Sequence, residues 1–126
     1  MIRSTKQLKQ LPGRTLNLAG SLSILLLAGC HSAFVNATIT NSSGRPLRLV
    51  EIDYPSASFG TNDLAAGGVF KYRFKVLGSG PATLLWTDAA GKEHKAEGPS
   101  LEEGEEGSIG VTVASEDAQW VSHLHH

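Results

Sequence analysis

The sequence predicts an all-β fold, a small antiparallel sandwich of about seven strands in two sheets, on the evidence of three observations. Beyond residue 33, β-branched and aromatic residues fall into short runs, several of which alternate apolar and polar with a period of two. Clusters of Gly, Pro, Asn, Asp and Ser separate the runs at intervals of roughly 8–12 residues, the rhythm of a sandwich or barrel. No helical period of comparable strength runs through the same stretch.

The elements follow in order. Phe34 to Thr40 alternates, with Val35, Ala37 and Ile39 on one side and Asn36, Thr38 and Thr40 on the other. Asn41-Ser42-Ser43-Gly44-Arg45-Pro46 is a dense turn cluster. Leu47 to Tyr54 is a second strand whose apolar positions change phase between Leu49 and Val50, which predicts a β-bulge. Pro55 breaks it, Ser56 to Gly60 is a short edge strand, and Asn62 to Gly68 is a loop. Val69 to Val76 carries the clearest alternation, with Phe70, Tyr72, Phe74 and Val76 opposed to Lys71, Arg73 and Lys75. After Gly78-Ser79-Gly80-Pro81 comes a strand from Ala82 to Thr87. Asp88-Ala89-Ala90-Gly91 then reads as a hairpin turn with Gly in the left-handed position. Lys92 to Glu97 is the polar returning strand, ended by Gly98-Pro99. An acidic loop to Gly107 leads into Ser108 to Ala114, with Ile109, Val111 and Val113 inward. Residues 115–126 read as a tail.

The first thirty residues are of another kind. Arg3, Lys6, Lys9 and Arg14 occur with no acid before residue 16, an apolar run follows from Leu16 to Ala28, and small residues lead to Cys30. This basic–apolar–small order is that of a secretory signal, and the run is shorter than the roughly 20 residues a membrane-spanning helix needs. Leu27-Ala28-Gly29-Cys30 resembles the lipobox of bacterial lipoproteins. The resemblance implies that Cys30 receives lipid on its sulfur, that a dedicated peptidase recognises Leu27, Ala28 and Gly29, and that the chain is cut before Cys30. It covers residues 1–30. The organisation expected is therefore a removed signal peptide over 1–29, a lipidated tether over 30–33, a β-sandwich over 34–114 and a tail over 115–126. His31, rather than Asp, follows the cysteine; in the family's sorting rule this favours the outer membrane where the host has two.

Charge and cysteine content narrow the function classes. The signal carries four of the eleven bases and none of the twelve acids, so the chain from Cys30 onward has seven bases against twelve acids, net −5 over 97 residues. An acidic domain of that size is not an electrostatic binder of nucleic acid, and attachment to a membrane would come from acyl chains on Cys30. Cys30 is the single cysteine, which excludes an intrachain disulfide.

The strand rhythm of residues 34–114 resembles immunoglobulin-like and fibronectin-type domains of exported bacterial proteins. The Cys…Trp…Cys pattern of antibody domains is absent, and Trp86 is the residue that would fill the central core place. Among candidate chemical groups, His123, His125 and His126 are three imidazoles within four residues; such a tract can ligate a transition metal, but a frayed polar terminus is the plainer reading. The acidic residues Glu102, Glu103, Glu105 and Glu106 match no calcium-loop signature. Lys71, Arg73 and Lys75 form a stripe suited to an anionic ligand or simply to water, and Tyr54, Phe59, Trp86 and Trp120 are either a stacking platform or core. No catalytic motif is present, and no cofactor is implied. The expected function is a non-enzymatic, membrane-anchored binding or structural module of the cell envelope. The alternatives are a metal binder using the His cluster, or an accessory subunit docked to an envelope protein partner.

Overall fold

Alternating side chains become two covered faces in the computed structural model, which describes residues 32–126. Eight strands form: β1 (Val35–Asn41), β2 (Leu47–Tyr54), β3 (Ala57–Leu64), β4 (Val69–Phe74), β5 (Gly80–Thr87), β6 (Glu93–Leu101), β7 (Glu106–Ala114) and β8 (Asp117–His125). One sheet has the order β4-β1-β7-β8 and the other β3-β2-β5-β6. Val35, Ala37, Ile39, Ile109, Val111 and Val113 from the first meet Leu47, Val50, Ile52, Leu84, Trp86 and Leu101 from the second. The described residues form no helix, so none is long and apolar enough to cross a membrane.

The sandwich expected from the sequence is present, with differences in detail. Its strands number eight because residues 117–125, read as a tail, form β8. There Ala118, Trp120 and Leu124 turn partly inward between exposed neighbours, a period-two pattern diluted by Ser122 and the histidines. β3 reaches Leu64, through residues whose Asn and Asp content read as loop, because Leu47 pairs with Leu64 and buries it. β6 runs through Gly98-Pro99 to Leu101; it is an edge strand, where the missing Pro99 N–H costs no ladder bond on the open side. The pairing is not wholly antiparallel, since β1 lies parallel to β7. The strand order also departs from the immunoglobulin arrangement, in which the first strand is at a sheet edge; here β1 is central.

Two local expectations hold. The β2–β5 register shifts between Arg48 and Glu51, and Leu49 takes up the extra residue at φ 50°, with its side chain exposed. Such a φ is costly for a branched aliphatic residue. The bulge turns the Val50 carbonyl toward Gly60, where a Cβ would lie 1.9 Å from that oxygen, so only glycine fits. Gly91 sits at φ 84° in the β5–β6 turn, as the hairpin required.

The two open sides of the sandwich are closed differently. Between β3 and β4 the closure is aromatic: Phe59 stacks on Tyr72 at 4.5 Å and meets Phe74 at 4.9 Å, and Tyr54 packs on Phe74 at 4.8 Å. Between β6 and β8 it is a single indole. Trp120 lies across the backbone at Gly98, where a Cβ would come within 2.6 Å of its ring. The inward positions of β6 shrink from His94 through Ala96 to Gly98, which makes room for that ring. Gly98→Ala is expected to displace Trp120 and lower stability by about 1–3 kcal/mol, the usual range for overpacking. Urea titration followed by tryptophan emission checks this, and an unchanged midpoint and spectrum would refute the closure.

Candidate functional site

Strand direction sorts the loops into two groups. β1 and β7 begin, and β4 and β8 end, at the end where the chain arrives from Cys30. The loops over 55–56, 75–79 and 102–105 gather there. The loops over 42–46, 65–68, 88–92 and 115–116 gather at the opposite end.

The second group is held by polar contacts built from short-range sequence. Asn41 closes β1 and is fully buried. Its amide nitrogen donates to the carbonyls of Arg45 (2.7 Å), Leu64 (3.0 Å) and Ala65 (3.0 Å), and its oxygen accepts from the Ser43 N–H (3.0 Å) and hydroxyl (2.6 Å). The Asn41 backbone also exchanges hydrogen bonds with the loop after β3, through Gly67 and Gly68. One side chain thus ties the end of β1, in one sheet, to the 42–46 loop and to the end of β3, in the other.

Beside it, Asp88 organises the β5–β6 turn. Oδ1 accepts the N–H groups of Ala90 and Lys92, both at 2.9 Å, and Oδ2 lies 2.8 Å from Nε2 of His94. The His94 ring stacks on buried Trp86 with centroids 5.0 Å apart. The hydrogen bond from His94, and then those from the Lys92 and Ala90 backbone, hold the Asp88 carboxyl below its ordinary pKa. Both oxygens are engaged, so the pair braces the hairpin instead of presenting a free base.

Between these loops lies a groove of about 210 Å³, lined by Ser43, Arg45, Leu47, Asp88, Ala89, Ala90, Ser115 and Glu116. Ser115 opens the β7–β8 turn at φ 57°, a conformation sparsely populated by residues other than glycine and frequent at binding sites. Glu116 meets Lys92 at 3.5 Å, while Arg45 makes no ion pair with any described residue. The groove therefore offers an uncommitted guanidinium on a rigid frame, suited to hold a carboxylate, phosphate or sugar hydroxyl by hydrogen bonds.

The residues singled out from sequence are scattered. Cys30, Leu27, Ala28 and Gly29 lie outside the described residues. His123 and His125 share the outward face of β8, His125 faces Glu106 at 3.3 Å and His126 faces Glu102 at 3.5 Å. Among the described residues no three His, Cys, Asp or Glu side chains converge as a metal-ligand set. The four aromatics do not share a platform: Tyr54 and Phe59 close one side, Trp120 closes the other, and Trp86 is core. Lys71, Arg73 and Lys75 are exposed, with Arg73 4.1 Å and Lys75 5.7 Å from the Phe34 ring centroid, at the end where the chain arrives. The roles of Asn41, Arg45 and His94 were missed. The available signals were an Asn directly after an alternating strand and an Asp–His pair six apart across a tight turn.

Asn41→Ala is expected to cost about 2–4 kcal/mol, because it removes a buried side chain that donates to the carbonyls of Arg45, Leu64 and Ala65 and accepts from Ser43. Asn41→Asp should cost more at pH 7, where a carboxylate oxygen faces those carbonyls, and should recover part of the loss as it is protonated. Equal midpoints for both variants across pH would refute this. For Asp88 the folded pKa is the lower one. Its contribution is complete above the ordinary carboxylate range near pH 4 (about 3.9) and is lost as pH falls through the depressed value. Wild type should lose more stability than Asp88→Asn between roughly pH 4 and pH 2, measured by urea midpoints; parallel losses would refute the assignment.

No protein-family model matches the chain, and no curated protein matches it in sequence. Among solved structures, the NMR structure of a protein from Eubacterium rectale is similar, with a TM-score of 0.51 and 9% identity over 70% of this chain and 86% of that one. At that identity the likeness is one of fold: a β-sandwich of two four-stranded sheets.

Proposed function

We propose that the chain is the precursor of a lipid-anchored lipoprotein of the cell envelope, cut before Cys30, whose sandwich is a non-enzymatic binding module. The observation that carries this reading is the junction between the two parts of the sequence. A basic segment, an apolar run and Leu27-Ala28-Gly29-Cys30 are followed, after only four residues, by the first strand at Val35. Five residue steps span at most about 18 Å. A lipid on Cys30 would therefore hold the sandwich against the bilayer and leave the loop end, with the Arg45 groove, a strand length from the tether and free for an envelope partner or glycan. A sandwich hosts many unrelated functions, so the groove and not the fold supports the binding role. Where two membranes are present, His31 after the cysteine favours the outer one.

Wild type is expected to fractionate with membranes at the mass of residues 30–126 plus acyl chains, and Cys30→Ser to lose the acyl mass. A photo-crosslinking residue at Ala90 should capture an envelope component that one at Thr83, on the outer face of β5 and away from the groove, does not. Wild type recovered with residues 1–29 intact and without lipid would refute the anchor. Equal capture at the two positions would refute the groove.

A further inference from the structure

Four strands stand at sheet edges, and three of them carry features that discourage pairing with another chain. β4 has Lys71 and Arg73; β6 has Glu93, Lys95, Glu97 and Pro99; β3 has Gly60 against the bulge, and Asp63. Charges and proline are the usual means of blunting an edge. β8 differs. It is nine residues long, pairs among the described residues with β7 alone, and has one carboxylate, at its first position, and no lysine, arginine or proline. Val121, at its midpoint, is 59% exposed, the most exposed of the large hydrophobic residues among those described.

The strand is also complementary to itself. Turned antiparallel about Val121, it sets Val121 against Val121 of a second copy, Gln119 against His123 and Asp117 against His125 on the outward face. On the inward face it sets Ala118 against Leu124 and Trp120 against Ser122. Every outward pair is apolar with apolar, amide with imidazole, or carboxylate with imidazole; of the two kinds of inward pair one is apolar and the other sets an indole beside a small hydroxyl. His125 already faces Glu106 on its own sheet, so the second copy's Asp117 would bring a carboxylate to its other side. We propose that β8 pairs antiparallel with β8 of a second copy, Val121 opposite Val121, to make one continuous eight-stranded sheet.

Copies confined to a bilayer by a lipid meet at high effective concentration, so a modest edge contact suffices. In this respect the inference rests on the anchor proposed above. Antiparallel pairing sends the two tethers to opposite ends of strands spanning roughly 30 Å, so anchored partners would lie with their strands along the bilayer.

The test is disulfide capture in membranes of cells expressing the full chain. Residues directly opposite on antiparallel strands have Cα atoms about 4.5–5.5 Å apart, within disulfide reach. Val121→Cys should give a reducible band at twice the monomer mass. Gln119→Cys and His123→Cys should each stay single, and the double variant carrying both should crosslink. Running the series in wild type and in Cys30→Ser separates the two readings. A doublet from unmodified wild type would show Cys30 to be a free thiol and sink the lipid anchor, while the Cys30→Ser series would still decide the pairing. A single band from Val121→Cys in both backgrounds, or Gln119→Cys crosslinking as strongly as Val121→Cys, would overturn the β8 pairing.

Discussion

The first strand of the domain is a central strand, and the rest of the architecture depends on that constraint. β1 is hydrogen-bonded on one side to β4 and on the other, in parallel, to β7, which begins 71 residues after β1 does. No hairpin can supply a parallel partner, so the sheet cannot close until the chain has built most of the other sheet and returned. Contacts of such sequence separation must pay loop-closure entropy before they repay it, which makes this a slowly assembling topology. The same pairing explains why the inward side of β1 is completely buried at Val35, Ala37, Ile39 and Asn41.

Asn41 is where that constraint is converted into a link between sheets. A polar side chain at a core position is tolerated only if its hydrogen-bonding groups are satisfied, and here both the donor and the acceptor end are used. Its partners come from the loop that follows β1 and from the end of β3, so the amide is correctly placed only when both sheets are in register. Asp88 performs a more local version of the task, closing one hairpin and orienting His94 onto Trp86. Together they brace the loop end of the sandwich with hydrogen bonds, which suits it to present the Arg45 groove.

The core and its faces were legible because β-strand periodicity is local. Val35 to Thr40, Val69 to Val76 and Ser108 to Ala114 alternate so regularly that no other element fits them, and the phase change at Leu49 announced the bulge. The misread segments have physical reasons. β8 was hidden because its outward positions are histidine, glutamine and aspartate and its inward ones are filled sparingly. The far half of β3 was hidden because Gly60, Asn62 and Asp63 carry turn chemistry while their backbone is held by β2. In both cases tertiary pairing overrode weak propensity.

From sequence alone came the all-β class, the bulge, the β5–β6 turn and the resemblance of residues 27–30 to a lipobox. Each is written in neighbours a few residues apart, where side-chain alternation, turn chemistry and motif spacing act. The tertiary structure alone decided that β1 is central and parallel to β7, that Trp120 folds over Gly98, and that Asn41, Arg45 and Asp88 share one end of the sandwich. Those outcomes turn on which distant strands share hydrogen bonds, and that choice is made by the packing of two whole faces rather than by any local stretch of chain.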